Sequence, residues 1–120
     1  MKIEKLDKLV ATLDFRAKQA ERASNVSVIV GYTQAYAIFV HENLQAKHPV
    51  GQAKFLEQPA RQNAKRYGEI AGQLLKKGKT MAQSLLVAGL ALQRDSQQLV
   101  PVDTGALRNS AFTRLEKGSE

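Results

Sequence analysis

The pattern of apolar and polar positions divides the first forty residues into a helical stretch and a short strand. Over residues 3–22 apolar side chains recur at spacings of three and four, which is typical of an amphipathic helix. These positions are Ile3, Leu6, Leu9, Val10, Leu13 and Ala17. Residues 26–30 are mostly β-branched and apolar, so we predict a strand that ends at Gly31. Residues 36–40 fit either a second strand or the start of a helix.

A second helical periodicity begins near residues 55–58 and runs to about residue 77. Pro59 falls in the predicted first turn, where the missing N–H costs little. Lys76 and Lys77 lie in the last turn, where cations complement the helix dipole. Gly78 is then the candidate for the C-terminal cap, and residues 43–53 before this helix are predicted to form an exposed loop.

The next helix is predicted to begin after Thr80, a good N-cap residue, and to reach residue 99 or 100. Residues 81–92 are apolar nearly all round, so we expect burial on several sides, in the core or beneath another subunit. Ala88, Gly89 and Ala91 are small enough to let another backbone approach closely.

A turn is predicted after this helix, because Pro101 has a fixed φ and no N–H to continue it. Asp103 and Thr104 can each cap a following helical turn, and Gly105 permits a tight bend. As a local feature, the segment is thus a helix stop followed by a new helix start.

The last strand is predicted at residues 111–115, where apolar and polar side chains alternate as in a half-buried strand. We expect it to pair with residues 26–30, because neither strand is stable alone in water. The predicted fold class is therefore α+β, a small antiparallel sheet packed against two or three long helices. Residues 1–116 would form a single domain, and residues 117–120 a flexible C-terminal tail.

Composition narrows the functional classes. A length of 120 residues suits one domain with a modest core. The absence of cysteine excludes disulfides, a thiolate nucleophile and a cysteine zinc site. The charged first residues lack a following apolar signal core. The most apolar run, residues 84–92, is far below the roughly 20 residues that span a bilayer. Secretion and membrane insertion are therefore not expected.

Positive charge is concentrated in the middle of the chain. The formal net charge is +7, and residues 54–79 hold seven basic against two acidic residues, a net +5. The candidates to face DNA or an acidic partner are Lys65, Arg66, Lys76 and Lys77. A concentrated field of this kind attracts nucleic acid or the acidic face of another subunit. A basic face that is simply solvated stays open as an alternative.

The residues capable of chemistry do not form a recognisable constellation. His41 and Glu42 are adjacent and His48 follows, but a metal site needs three or more converging ligands. We expect His41 to be a half-buried surface residue. The serines lack a nucleophile-elbow context, and the glycines do not fit a phosphate-binding loop. Nothing in the sequence brings Asp103 to Glu42, so we predict no enzyme, no metal and no cofactor.

Residues 101–112 carry the most informative motif, Pro-Val-Asp-Thr-Gly-Ala-Leu-Arg-Asn-Ser-Ala-Phe. It resembles the Pro-Val-Asp-Thr-Gly-x-Leu-x-x-Ser segment of small tail-completion and head–tail connector proteins of long-tailed bacteriophages. A second block is similar to another part of that family's pattern. It comprises Val-Ile-Val-Gly at residues 28–31, Tyr-Ala with a downstream His-Glu at residues 36–42, and Lys-Phe-Leu-Glu-x-Pro-Ala at residues 54–60. In many relatives the Asp-Thr-Gly block comes first, whereas here it comes last.

The resemblance implies a non-enzymatic virion protein at the neck or tail, made in the host cytoplasm. Such a subunit forms a homo-oligomeric ring, with six-fold symmetry favoured and twelve-fold left open, that joins the head connector to the tail. Its partners would be other neck and tail proteins, with non-specific contact to genomic DNA open and no membrane involved. The loop at residues 43–53 and the turn at residues 101–108 are the expected contact regions. The candidate contact residues are His41, Glu42, His48, Pro49, Asp103, Thr104 and Arg108.

A small basic nucleic-acid-binding protein is the alternative function. The basic helix and an isoelectric point near 9.9 can supply phosphate contacts. A helix-turn-helix at residues 59–100 is conceivable, because Gly78 separates two helices. The second helix, however, is too apolar at its N-terminal end to read bases in a major groove.

Overall fold

A computed structural model describes residues 2–5, 8–13, 26–34, 36–44, 52–101 and 105–117. These residues form four strands and five helices. The elements are β1 (Lys2–Lys5), β2 (Leu9–Leu13), β3 (Val26–Tyr32), α1 (Ala37–Glu42), α2 (Glu57–Gln62), α3 (Ala64–Lys76), α4 (Met81–Leu99), α5 (Gly105–Asn109) and β4 (Ala111–Lys117). The predicted α+β class, an antiparallel sheet with helices packed against it, is confirmed.

The four strands form one antiparallel sheet in the order β1-β2-β3-β4. The predicted pairing of the last strand with the strand near residue 28 is confirmed, with Val28 opposite Leu115 and Tyr32 opposite Ala111. Strand β4 includes Lys117, and residues 118–120 of the expected tail lie outside the described residues.

The helix predicted at residues 3–22 is wrong wherever the structure describes this segment. Strands β1 and β2 form an antiparallel pair instead, with Lys2 opposite Thr12 and Lys5 opposite Leu9. Leu9, Ala11 and Leu13 are buried while the residues between them are less so, a two-residue alternation that the helical spacing also accommodates. Pairing of β2 with β3 decides between the two periods, because it satisfies the backbone of both strands.

Gly31 does not end strand β3 but lies within it, opposite Val10. A Cβ atom at Gly31 would lie 2.6 Å from the carbonyl oxygen of Leu9 and 2.6 Å from Cγ1 of Val10. Glycine is therefore required by the close approach of the neighbouring strand rather than by a turn.

The helical signals in the middle of the chain are largely confirmed. Residues 37–42 form a helix, which settles the alternative left open by the sequence. The helix predicted at residues 55–77 is divided at Asn63 into α2 and α3, and Pro59 lies in the first turn of α2. Gly78 has a φ of +88° after α3, as its predicted role at the helix end requires. Thr80 forms a capping box with Gln83, in which each backbone N–H donates to the other side chain at 3.0 Å.

Helix α4 packs across strands β3 and β4 through its small residues. A Cβ atom at Gly89 would lie 2.7 Å from Cγ2 of Val28 and 3.0 Å from Cγ2 of Thr113, so the expected close backbone approach is confirmed. The opposite side of the helix is open, since Val87 is 45% and Leu90 48% exposed in the single chain. In the single chain α4 is thus not buried on this side, and burial of Val87 and Leu90 beneath another subunit stays a prediction.

Candidate protein-interaction site

His41 lies at the end of helix α1 and is fully buried, with 0% exposure. Its Nε2 accepts a hydrogen bond of 3.1 Å from the backbone N–H of Glu57, and its Nδ1 lies 2.5 Å from Oε2 of Glu42. The ring of Phe55 contacts it edge-on, with centroids 5.0 Å apart. The expectation of a half-buried surface histidine is wrong, because the first turn of α2 covers the imidazole.

The bonding of the ring defines its protonation. Since Nε2 accepts a hydrogen bond from a backbone N–H, the proton of the neutral ring belongs on Nδ1, which donates to the Glu42 carboxylate. Burial lowers the pKa of His41, and the nearby Lys5 and Lys54 charges lower it further against the opposing effect of Glu42. The imidazole is therefore neutral in the folded protein near pH 7.

An ion-pair cluster surrounds this histidine and joins three elements that are distant in sequence. Its members are Lys5, His41, Glu42, Lys54, Glu57 and Arg61. The ammonium of Lys5 lies 3.0 Å from Oε2 of Glu42 and 3.1 Å from Oε1 of Glu57. The ammonium of Lys54 lies 2.5 Å from Oε1 of Glu42. Two carboxylates thus alternate with two ammonium groups between β1, α1 and α2.

The ion-pair cluster lowers the pKa of both carboxyl groups, those of Glu42 and Glu57. Burial by itself would raise the pKa of Glu42, but hydrogen bonds from Lys54, Lys5 and His41 outweigh it and lower the pKa to about 2. Hydrogen bonds from Arg61 and then Lys5 lower the pKa of Glu57 to about 2. Both groups are therefore ionised over the whole physiological range.

The same cluster contains a set of ligand atoms that could in principle hold a metal ion. One ligand atom each of His41, Glu42 and Glu57 lies within 4.8 Å of the others. A metal would have to displace the ammonium groups of Lys5 and Lys54 and break the Glu57 N–H bond to the ring. The chemistry of this donor set fits an internal ion-pair network that fixes helix positions.

At one end of the sheet the residues just after Gly31 meet Ser110 of the second motif segment and Ser96 of α4. We call this the motif junction, and its members are Tyr32, Thr33, Gln34, Ser96 and Ser110. The backbone N–H of Thr33 donates to the carbonyl oxygen of Ser110 at 3.1 Å, and that of Gln34 to its hydroxyl at 3.4 Å. The hydroxyl groups of Tyr32 and Ser96 lie 2.6 Å apart and are both buried. Thr33 and Gln34 are therefore bonded directly to a residue more than seventy positions away in sequence.

The predicted contact residues have different outcomes. His41 is buried, whereas Glu42 is half-buried and held in the ion-pair cluster. Arg108 is half-buried, and its Nε is buried without a hydrogen-bond partner among the described residues. His48, Pro49, Asp103 and Thr104 lie outside the described residues.

Lys65, Arg66 and Lys76 lie on helix α3 and Lys77 is its C-cap residue, but the four are not equivalent. Lys65, Lys76 and Lys77 are exposed, and no ion pair within the described part of the chain holds them. Arg66 instead pairs with Asp95 of α4, whose carboxylate also accepts from the hydroxyl of Tyr67. Arg66 therefore contributes to the packing of α3 on α4 as well as to the surface charge.

Two exposed apolar surfaces were not among the predicted contact residues. Phe39 of α1 is 69% exposed and Leu44 just after it is 71% exposed. Val87 and Leu90 form a second surface on the outer side of α4. The sequence predicts the helix that contains Val87 and Leu90, but it does not indicate which side of a helix the sheet covers.

Comparison of the chain with protein-family models, curated proteins and solved structures gave no match. In the described ranges, no helix combines the length and apolarity needed to cross a membrane. The functional argument therefore depends on the motif segments and on the surfaces described above.

Proposed function

We propose that this chain is a structural protein of a bacteriophage virion, a tail-completion or neck connector subunit. Its copies would form a ring between the head connector and the tail, with the DNA path open through the centre. The role is geometric rather than catalytic, so it depends on the shape and chemistry of two contact surfaces.

The observation that carries this function is the motif junction. The two segments that resemble the phage family occur in reversed order along the chain, yet Gly31 of the first lies opposite Phe112 of the second in the sheet. Thr33 and Gln34, which follow this strand, bond directly to Ser110 of the second segment. Strands β3 and β4, which lead into and out of this junction, are adjacent in the sheet. The reversed order therefore does not separate the two segments in space.

A second feature supports a ring. A cyclic assembly uses heterologous contacts, so each subunit needs two different surfaces that complement each other. The chain exposes two apolar surfaces on different elements, Phe39 with Leu44 beside α1 and Val87 with Leu90 on α4. Exposed apolar surface of this kind is typical of sites that contact another protein.

Electron microscopy of particles that carry this chain tests the function directly. We expect a ring of this protein at the head–tail junction of virions purified from infected or induced cells. Absence of the chain from intact virions would contradict the connector role.

A variant pair makes the test specific to the surface. F39S with L44S should leave the free energy of unfolding nearly unchanged, because both side chains are mostly exposed, and should prevent head–tail joining. Q73S is the matched control, since Gln73 is exposed on α3 and belongs to neither apolar surface. Normal joining by the F39S/L44S protein would remove this surface from the proposed contact.

Nucleic-acid binding is a second candidate function, and it is supported by three exposed lysines on α3 and at its C-cap, Lys65, Lys76 and Lys77. Reversal of Lys65, Lys76 and Lys77 to Glu leaves the Arg66–Asp95 pair intact and so separates surface charge from packing. If the lysines contact the passing DNA or an acidic neighbour, K65E/K76E/K77E should impair joining while a K65Q/K76Q/K77Q variant impairs it less. Salt-sensitive co-purification of the wild-type chain with nucleic acid, without virion incorporation, would favour the second candidate.

A further inference from the structure

The sheet has two open edges. Strand β1 and strand β4 are its outermost strands, and within the described residues no strand pairs with the outer side of either. An open edge presents unpaired backbone N–H and C=O groups, which act as a template for another strand. The side chains of Arg114, Leu115 and Glu116 are exposed along the β4 edge, so the helices leave it accessible.

The direction of the backbone groups on each edge can be derived from one bond. Thr33 N–H donates to Ser110 C=O, so this is a hydrogen-bonded pair of the β3–β4 ladder. Hydrogen-bonded and non-hydrogen-bonded pairs alternate along an antiparallel ladder. Thr113 and Leu115 therefore direct their backbone groups away from β3, toward the open edge.

The same alternation carries across the sheet to the other edge. Strand β3 bonds to β2 through Val28, Val30 and Tyr32, and β2 bonds to β1 through the intervening residues. Ile3 and Lys5 are consequently the β1 residues whose backbone groups point outward.

We propose that strand β4 of one copy of this chain pairs antiparallel with strand β1 of a second copy, and that the sheets become continuous. In the register that aligns the outward backbone groups, Ile3 lies opposite Leu115 and Lys5 opposite Thr113. Each such pair exchanges two hydrogen bonds, so this short contact supplies about four backbone bonds. Strand addition of this kind is an established mode of protein recognition.

The side chains are complementary in this same register. Glu4 lies opposite Arg114, and Lys2 lies opposite Glu116, so both charged pairs are of opposite sign. In the single chain these groups form loose ion pairs along their own strands, Lys2 with Glu4 at 3.7 Å and Arg114 with Glu116 at 3.8 Å. The Arg114 guanidinium also lies over the ring of Phe112, 5.3 Å from its centroid. Opposite charges directly across a ladder stabilise strand pairing.

The apolar side chains match as well. Ile3 is paired with Ala11 and Leu115 with Val28, so both project from the face of the sheet that carries the helices. The charged residues project from the other face. In this one register the outward backbone groups can bond, residues of opposite charge lie across from each other, and the two apolar side chains share one face.

A head-to-tail contact between two different edges leaves one β1 and one β4 free at the ends, and a ring closes them. Pairing of two β4 strands across a two-fold axis would leave both β1 edges open. The choice of β4 with β1 therefore rests on the proposed ring, because closure removes every open edge.

Disulfide cross-linking tests the register, and the chain helps because it has no cysteine of its own. Glu4 and Arg114 would form a non-hydrogen-bonded pair with Cα atoms about 4.5 Å apart, within disulfide reach. After oxidation, the E4C/R114C double variant should give a ladder of linked oligomers. A mixture of E4C and R114C chains should give dimers only, and each alone should give none.

A second in-register pair and an out-of-register control complete the design. K2C/E116C keeps the Glu4–Arg114 charges and should give the same ladder, whereas K2C/R114C is displaced by two residues and should link much less. Circular dichroism before oxidation verifies that each variant is folded. Absence of links from both in-register pairs at high protein concentration, or equal linking by the control, would overturn the proposal. Linking of R114C to E116C chains would show two β4 strands together and would overturn it as well.

Failure of the proposed connector function and failure of the proposed strand pairing give different results. Links in the purified chain without a ring in virions would reject the connector function and leave the strand pairing. A ring at the head–tail junction whose E4C/R114C subunits do not link on oxidation would reject the strand pairing and leave the function.

Discussion

The backbone N–H of Glu57 donates a hydrogen bond of 3.1 Å to Nε2 of His41, and this bond ties the first turn of α2 to the last turn of α1. The acceptor nitrogen must be unprotonated for the bond to exist. A single titratable ring therefore links the packing of two helices to pH.

Mild acid should destabilise the protein through His41. Burial lowers the pKa of this residue below its ordinary value of 6.5, so the unfolded chain binds more protons than the folded one in this range. The stabilisation that depends on neutral His41 should therefore be complete above pH 6.5. It should be lost as the pH falls toward the pKa of His41 in the folded protein. Urea denaturation at pH 7.5 and at pH 5.5 measures this difference.

A non-titrating variant provides the control. H41Q keeps an oxygen that can accept from the Glu57 N–H and removes the proton equilibrium. It should be less stable than the wild type at neutral pH but should lose less stability between the two pH values. An equal pH dependence in both proteins would contradict this role for His41.

Strong acid should act through the carboxylates of the ion-pair cluster. The pKa of Glu57 is lowered to about 2 from 4.5, first by the hydrogen bond from Arg61 and then by that from Lys5. Because the pKa of Glu57 is lowered in the folded protein, ionised Glu57 stabilises the fold above pH 4.5. This stabilisation is lost as the pH falls toward 2. E57Q should therefore flatten the loss of stability between pH 4.5 and pH 2, measured by thermal unfolding. E69Q, at an exposed position of α3, should leave the profile unchanged.

The contact of α4 with the sheet should make Gly89 intolerant of any side chain. A Cβ atom there would lie 2.7 Å from Val28 and 3.0 Å from Thr113, so G89A should lower the free energy of unfolding by about 1–3 kcal/mol through overpacking. G68A is the matched control on α3, where a Cβ meets no atom within 4 Å. It should raise stability by about 0.5–1 kcal/mol, because alanine is the better helix former. Equal effects of the two substitutions would contradict the close packing of α4.

The buried hydroxyl pair of the motif junction should behave as one unit. Tyr32 and Ser96 hydroxyls lie 2.6 Å apart with no exposure, so Y32F or S96A alone leaves one buried polar group unsatisfied. Each should cost about 1–3 kcal/mol. The double variant should cost less than the sum, giving a coupling of at least about 0.5 kcal/mol in a double-mutant cycle. Additive effects would mean that the two hydroxyl groups do not depend on each other.

Much of the helical half was predictable because its signals act over a few residues. Thr80 and Gln83 cap each other three residues apart, Gly78 adopts a positive φ, and Pro59 fits a first helical turn. These are properties of the local backbone, so the end of α3 and both ends of α4 follow from neighbours in sequence, whereas the division at Asn63 was not predicted.

The candidate site was less predictable because its members meet only through the fold. Nζ of Lys5 lies 3.1 Å from Oε1 of Glu57, although the two residues are fifty-two positions apart in the sequence. No local pattern indicates that they are partners. Arg66 was identified as surface charge, although the approach of α4 gives it Asp95 as a partner. His41 was named as a candidate contact residue at the surface, but it is buried because α2 lies over it.

The sequence by itself determined the α+β class, the end of α3 and both ends of α4, because capping, glycine and proline geometry and apolar periodicity act locally. The β3–β4 pairing followed from a different argument, that neither strand is stable alone in water. Only the tertiary structure decided that Lys2–Lys5 and Leu9–Leu13 are strands, since their apolar positions satisfy both a helical and a two-residue period and the free backbone of β3 selects the second. It also decided which faces are covered. Burial of His41 and exposure of Phe39 depend on where separate elements pack, and that is a property of contacts between distant residues.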